Sequence, residues 1–136
     1  MKFVAKMAAI VALTSLSLVA VANAHTVKHD STVTIQLKKN GRADDSFAGK
    51  VISDRARCES DRTVKIFRRD GEDAVLAGTD TTDADGNYEV MLVGEAAPGD
   101  YYAVVKRKIL RRSANHLHVC KRATSEDRKV GGVPAL

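Results

Sequence analysis

The chain has no tryptophan, and of its three tyrosines and three phenylalanines one phenylalanine, Phe3, falls in the apolar leader described below. Tyr88, Tyr101, Tyr102, Phe47 and Phe67 remain, and most of these belong to the expected core, so a carbohydrate site built on an aromatic stacking platform is disfavoured. Nowhere beyond the leader do apolar residues keep a helical spacing over three turns, which argues against an α-helical domain. A nucleophile elbow, a zinc-binding helix and a spaced carboxylate pair are all lacking in any supporting context. The expectation is therefore a protein that is not an enzyme and has no cofactor.

What is present begins with an address. Residues 1–24 carry Lys2 and Lys6, an apolar run from Met7 to Val21, and then Ala22-Asn23-Ala24. A basic head, an apolar middle short for a membrane span and small residues at the cut read as a secretory signal peptide, cleaved after Ala24 or after Ala22. The exported product is expected to be extracellular or periplasmic and free of the membrane. Losing Lys2 and Lys6 leaves 20 basic against 17 acidic residues, a formal charge of +3 in place of +5. About 110 residues suit one domain. The division expected is a β-sandwich over 25–122 and a polar C-terminal tail over 123–136, in a monomer.

The chain's two cysteines, Cys58 and Cys120, both lie in the exported part. An even count in an oxidising compartment reads as a disulfide.

Apolar residues then recur at every second position. Val33, Ile35 and Leu37 alternate with polar neighbours, Phe47, Gly49 and Val51 share one side, and Val64 and Ile66 share another. Gly49 marks a bulge or a close backbone approach. Tyr88, Val90 and Leu92 follow the turn Asp83-Ala84-Asp85-Gly86, and Tyr101, Ala103 and Val105 follow Pro98-Gly99. This is the pattern of half-buried antiparallel strands. His116 to Cys120 reads as a last strand, Leu117 and Val119 on one face and His116, His118 and Cys120 on the other. His25 to Asp30 is expected to be a loose arm, and Lys108 to Asn115 a basic connection. The tail is expected to add at most one edge strand, near Val130. The fold class is all-β, a two-sheet antiparallel β-sandwich of about seven strands.

Thr82-Asp83-Ala84-Asp85-Gly86-Asn87-Tyr88-Glu89-Val90, followed by Pro98-Gly99-Asp100-Tyr101-Tyr102-Ala103-Val104, resembles the closing half of carboxypeptidase regulatory-like domains, which belong with the transthyretin-like, or prealbumin-like, β-sandwiches. Phe47 to Val51 and Arg62 to Phe67 look like the first two core strands of that fold. The likeness covers roughly 47–119. It implies the fold and is nearly silent on activity, since such domains occur beside peptidases, as stalk repeats and as lone secreted proteins. The paired cysteines resemble a secreted bacterial subgroup in which one precedes the arginine-rich strand and the other closes the last strand.

Two surfaces are candidates for function. Lys106, Arg107, Lys108, Arg111 and Arg112 form the densest basic run, suited to an anionic cell-wall or extracellular polymer with affinity that falls as salt rises. Nucleic acid is disfavoured, because export removes it and no aromatic residues interleave the charges. The other candidate is a copper or other metal site using His25, whose amine and imidazole would both be donors if the cut falls after Ala24, with His116 and His118 supplying further nitrogens. Metal is the less favoured of the two. Asp83-Ala84-Asp85-Gly86-Asn87 lacks the spacing of a calcium loop and reads as a turn.

Overall fold

The structure, a computed structural model, describes residues 25–113 and 115–131, with the side chain of Arg112 left out; the expected signal peptide lies outside these residues. Twelve short strands and one 3-10 turn make up the described chain, which is all-β with its antiparallel sheets packed into a sandwich.

One layer is built on β4 (Ser46–Ser53). Strands β2 (Ser31–Val33) and β3 (Gln36–Lys38) follow one another along one edge of it, and β7 (Asn87–Met91) pairs with the other. The single strand expected over 31–37 is thus divided at Thr34 and Ile35. Thr34 N–H donates to the Lys50 carbonyl at 3.0 Å, its hydroxyl oxygen accepts from Lys50 N–H at 2.9 Å, and its carbonyl accepts from the Tyr88 hydroxyl. A Cβ on Gly49 would lie 2.0 Å from the Thr34 carbonyl oxygen, so the close approach expected at this glycine is what the chain makes there.

The facing layer runs in the order β11 (Ala123–Thr124), β8 (Gly99–Val105), β5 (Thr63–Asp70), β6 (Asp73–Thr81), and β12 (Arg128–Val130) also pairs with β8. Between the layers lie Phe47, Val51, Tyr88 and Val90 from one side and Val64, Ile66, Tyr101, Ala103 and Val105 from the other. These are the alternating positions of the sequence, and full burial of each large side chain contributes about 1.5–3 kcal/mol. Phe67 and Tyr102 depart from the expected aromatic core. They stack on each other on the outer face, ring centres 5.6 Å apart, and Arg69 lies 4.4 Å over the Tyr102 ring.

A third, smaller sheet takes β1 (His25–His29), β10 (His116–Cys120) and β9 (Lys108–Ser113) in the order β1-β10-β9. Three expectations are corrected here and in the tail. His25 to Asp30 is no loose arm: five of its residues pair with β10, and in parallel, whereas every other ladder among the described residues is antiparallel. The basic connection from Lys108 is a strand, hairpinned onto β10 with a bulge opposite His116 and Leu117. Beyond 123 the chain adds two strands to β8, and Val130 is buried in the main core.

Cys58, in the 3-10 turn Ala56–Cys58, is bonded to Cys120 across 62 residues of sequence. The two sulfurs and Leu110 make a second small core, so the bridge ties the third sheet to the loop between β4 and β5.

Candidate functional site

The centre of this region is an arginine that belongs to neither candidate surface. Arg62 immediately precedes β5 and is only 1 % exposed, the largest of the fully buried side chains among the described residues. Among the described residues no carboxylate meets it. Its guanidinium donates instead to backbone carbonyls: Nε and Nη2 to Lys106 at 3.2 and 2.8 Å, Nη2 also to Lys121 at 2.9 Å, and Nη1 to Cys58, with a further bond to the Ser31 hydroxyl at 3.0 Å. Desolvation pulls its pKa below the ordinary arginine value. A planar fork with five donors is the one side chain able to serve so many acceptors at once.

The consequence reaches the surface. By holding the carbonyls of Lys106 and Lys121, Arg62 sets the turn after β8 beside the turn after β10, and the exposed side chains of Lys106, Arg107, Lys121 and Arg122 come from these two turns. Of the basic residues singled out from the sequence, Lys106 and Arg107 belong to this rim. Lys108 is engaged inward, donating to the Ser60 carbonyl at 2.9 Å and lying 3.8 Å from Asp61. Arg111 lies further along β9, across from Leu117, and is itself engaged in an interaction. The side chain of Arg112 is outside the description. Lys121 and Arg122 were missed because thirteen residues separate Arg107 from Lys121. Lys121 also reaches Asp30 at 2.7 Å and, through that bond, holds its carboxyl below the usual range.

All four histidines of the chain gather on the third sheet. Parallel register sets His25 opposite His116, Val27 opposite His118 and His29 opposite Cys120. Ring centres are 5.4 Å apart for His25 and His116, 5.4 Å for His116 and His118, and 5.2 Å for His29 and His118. His29 Nε2 is 2.9 Å from His118 Nδ1, and its Nδ1 is 3.3 Å from Asp54 Oδ1. His29 escaped the sequence reading, since it shares a face with His25 and Val27 only once the segment is a strand. Among the described residues no three histidine, cysteine or carboxylate groups already converge as a metal cage.

At the aspartate-rich turn, Asp83 Oδ1 accepts from the N–H groups of Asp85 and Asn87, each at 2.9 Å. These bonds, the Asn87 one first, draw its carboxyl below the ordinary range. The carboxylate closes a turn around Gly86, whose φ is +85°.

No helix among the described residues is long and apolar enough to cross a membrane. No family model matches the chain, and neither do curated proteins or solved structures. What the fold and these surfaces define is a disulfide-bonded all-β protein with a basic rim and a histidine row on one small sheet.

Proposed function

We propose that this chain is an exported, non-catalytic binding module of the transthyretin-like class, which contacts an anionic cell-wall or extracellular polymer through the rim of Lys106, Arg107, Lys121 and Arg122. The observation that carries the reading is the Arg62 clamp, because it gathers two dibasic turns from separate strands onto one place. Held backbones lower the ordering cost of presenting several cations together to a flexible polyanion. The attraction is electrostatic, so it weakens as ions screen it over roughly 8–10 Å. Export is supported by the bridge between Cys58 and Cys120, which persists in oxidising compartments.

The test is retention of the full exported chain on a surface coated with lipoteichoic acid, eluted by a salt gradient. The wild-type chain is expected to be retained at low salt and released by physiological salt or somewhat above. Replacing Lys106, Arg107, Lys121 and Arg122 by alanine is expected to abolish retention. Replacing the exposed Lys39, Arg42, Lys50 and Lys129 removes the same charge and is expected to leave it nearly intact. Equal loss from both sets would reduce the rim to net charge alone and refute it as a site.

A further inference from the structure

The histidine row supports a second site, on residues that the basic rim does not use. His116 stands at a corner: His25 faces it across the parallel ladder, and His118 follows it two residues along the same face. Both neighbours place their ring centres 5.4 Å from that of His116. Imidazoles bound to one ion through nitrogens about 2.0–2.1 Å from it have ring centres about 4.5–5.3 Å apart, for ligand angles of 90–110°. The His25–His116 and His116–His118 pairs are therefore within about 0.1–0.9 Å of that spacing, and the diagonal pair, His25 and His118, has to close onto the same ion as well. His25 and His116 are exposed, so their side chains have room to rotate toward a shared ion.

His118 is held differently. Its Nδ1 meets His29 Nε2 at 2.9 Å, and His29 in turn meets Asp54 through Nδ1 at 3.3 Å. A carboxylate that orients one imidazole, which orients the next, is how proteins fix the tautomer and raise the basicity of a ligating histidine. Nδ1 already meets His29, so a bond from His118 to an ion would be made through Nε2. Cys58 and Cys120 are bonded to each other, so thiolate is absent and the donor set is neutral imidazole nitrogen. Such donors follow the order in which copper(II) binds more tightly than nickel(II) or zinc(II).

We propose that His25, His116 and His118 bind one divalent first-row transition ion, copper(II) most tightly, with His29 and Asp54 as positioning residues.

Calorimetry with copper(II), nickel(II) and zinc(II) salts on the full exported chain tests this. One copper per chain is expected, with a Kd of about micromolar or tighter. His25→Gln, His116→Gln and His118→Gln are each expected to weaken binding about tenfold or more. His29→Gln and Asp54→Asn are expected to weaken it less while keeping one ion per chain. Copper held only by the backbone amine and ring of a chain starting at His25 would survive His116→Gln, and that survival would overturn the corner. A wild-type Kd weaker than about 0.1 mM would overturn it too. As a readout independent of affinity, substoichiometric copper is expected to broaden the amide resonances of 25–29 and 116–120 first. Broadening centred elsewhere would count against the site, and circular dichroism confirms that each variant is folded.

Discussion

Arg62 donates to one carbonyl oxygen twice: Nε and Nη2 both point at the oxygen of Lys106, at 3.2 and 2.8 Å. Around that pair converge three segments distant in sequence, the turn that carries Cys58, the end of β8 and the end of β10. The buried charge is tolerated because carbonyl dipoles from all three directions solvate it.

Replacing this arginine is therefore expected to cost more than any surface change. Arg62→Met leaves the carbonyls of Cys58, Lys106 and Lys121 without their donor, and each buried unsatisfied acceptor costs about 1–3 kcal/mol. A loss of about 3–5 kcal/mol is expected in urea denaturation. Arg62→Lys should recover little of it, since an ammonium cannot span acceptors arranged for a fork. A lysine variant as stable as the parent would contradict the clamp.

Opening the bridge is a second route to instability. The Cys58→Ser, Cys120→Ser double variant frees a loop of 62 residues, which on the chain-entropy account costs about 4 kcal/mol. The urea midpoint should fall correspondingly, and a reductant should lower the parent's midpoint while leaving the double variant's unchanged.

Gly49→Ala tests the break between β2 and β3. The added methyl would lie 2.0 Å from the Thr34 carbonyl oxygen and 2.7 Å from the Tyr88 hydroxyl. Backbone on the first side has little room to yield, so a loss of about 2–3 kcal/mol is expected, with the largest amide shifts at Thr34 and Lys50. A neutral substitution would mean that this edge of β4 is looser than the geometry requires.

Alkaline titration addresses Tyr88. Its hydroxyl donates to the Thr34 carbonyl, and burial pushes its pKa far above the ordinary value of 10; burial also raises that of Tyr101, against an opposing effect of Arg68. An unfolded chain releases these protons near pH 10 while the folded one keeps them, so their contribution to stability is fully present below pH 10 and declines as pH rises beyond it. Absorbance at 295 nm, taken as the parent minus Tyr88→Phe, should show the Tyr88 phenolate only together with loss of the β-sheet dichroism. Phenolate from Tyr88 in the folded protein near pH 10 would show the ring to be accessible.

The main core was readable because its signal is local. Phe47 and Val51, Val64 and Ile66, Tyr88 and Val90, and Tyr101, Ala103 and Val105 alternate with polar neighbours, and a strand with one buried face admits only one register for such a pattern. β1 carried no such signal. It is exposed or half-buried along its length and its partner lies some ninety residues away, so nothing within the segment distinguished a strand from an arm. The tail misled for a related reason: in β12 only Val130 enters the core, one apolar residue among charges. Cys58 and Cys120 were legible as a pair because the chain offers no other cysteine.

From the sequence alone came the all-β class, the alternating core residues, the bridge and the turn at Gly86, since each depends on a pattern within a few residues or on a count. Only the tertiary structure decided that Lys121 and Arg122 stand beside Lys106 and Arg107, and that His25 and His29 line up with His116 and His118. Those neighbours are chosen by a buried guanidinium and by a parallel register, and both are relations between backbones that no local pattern of side chains encodes.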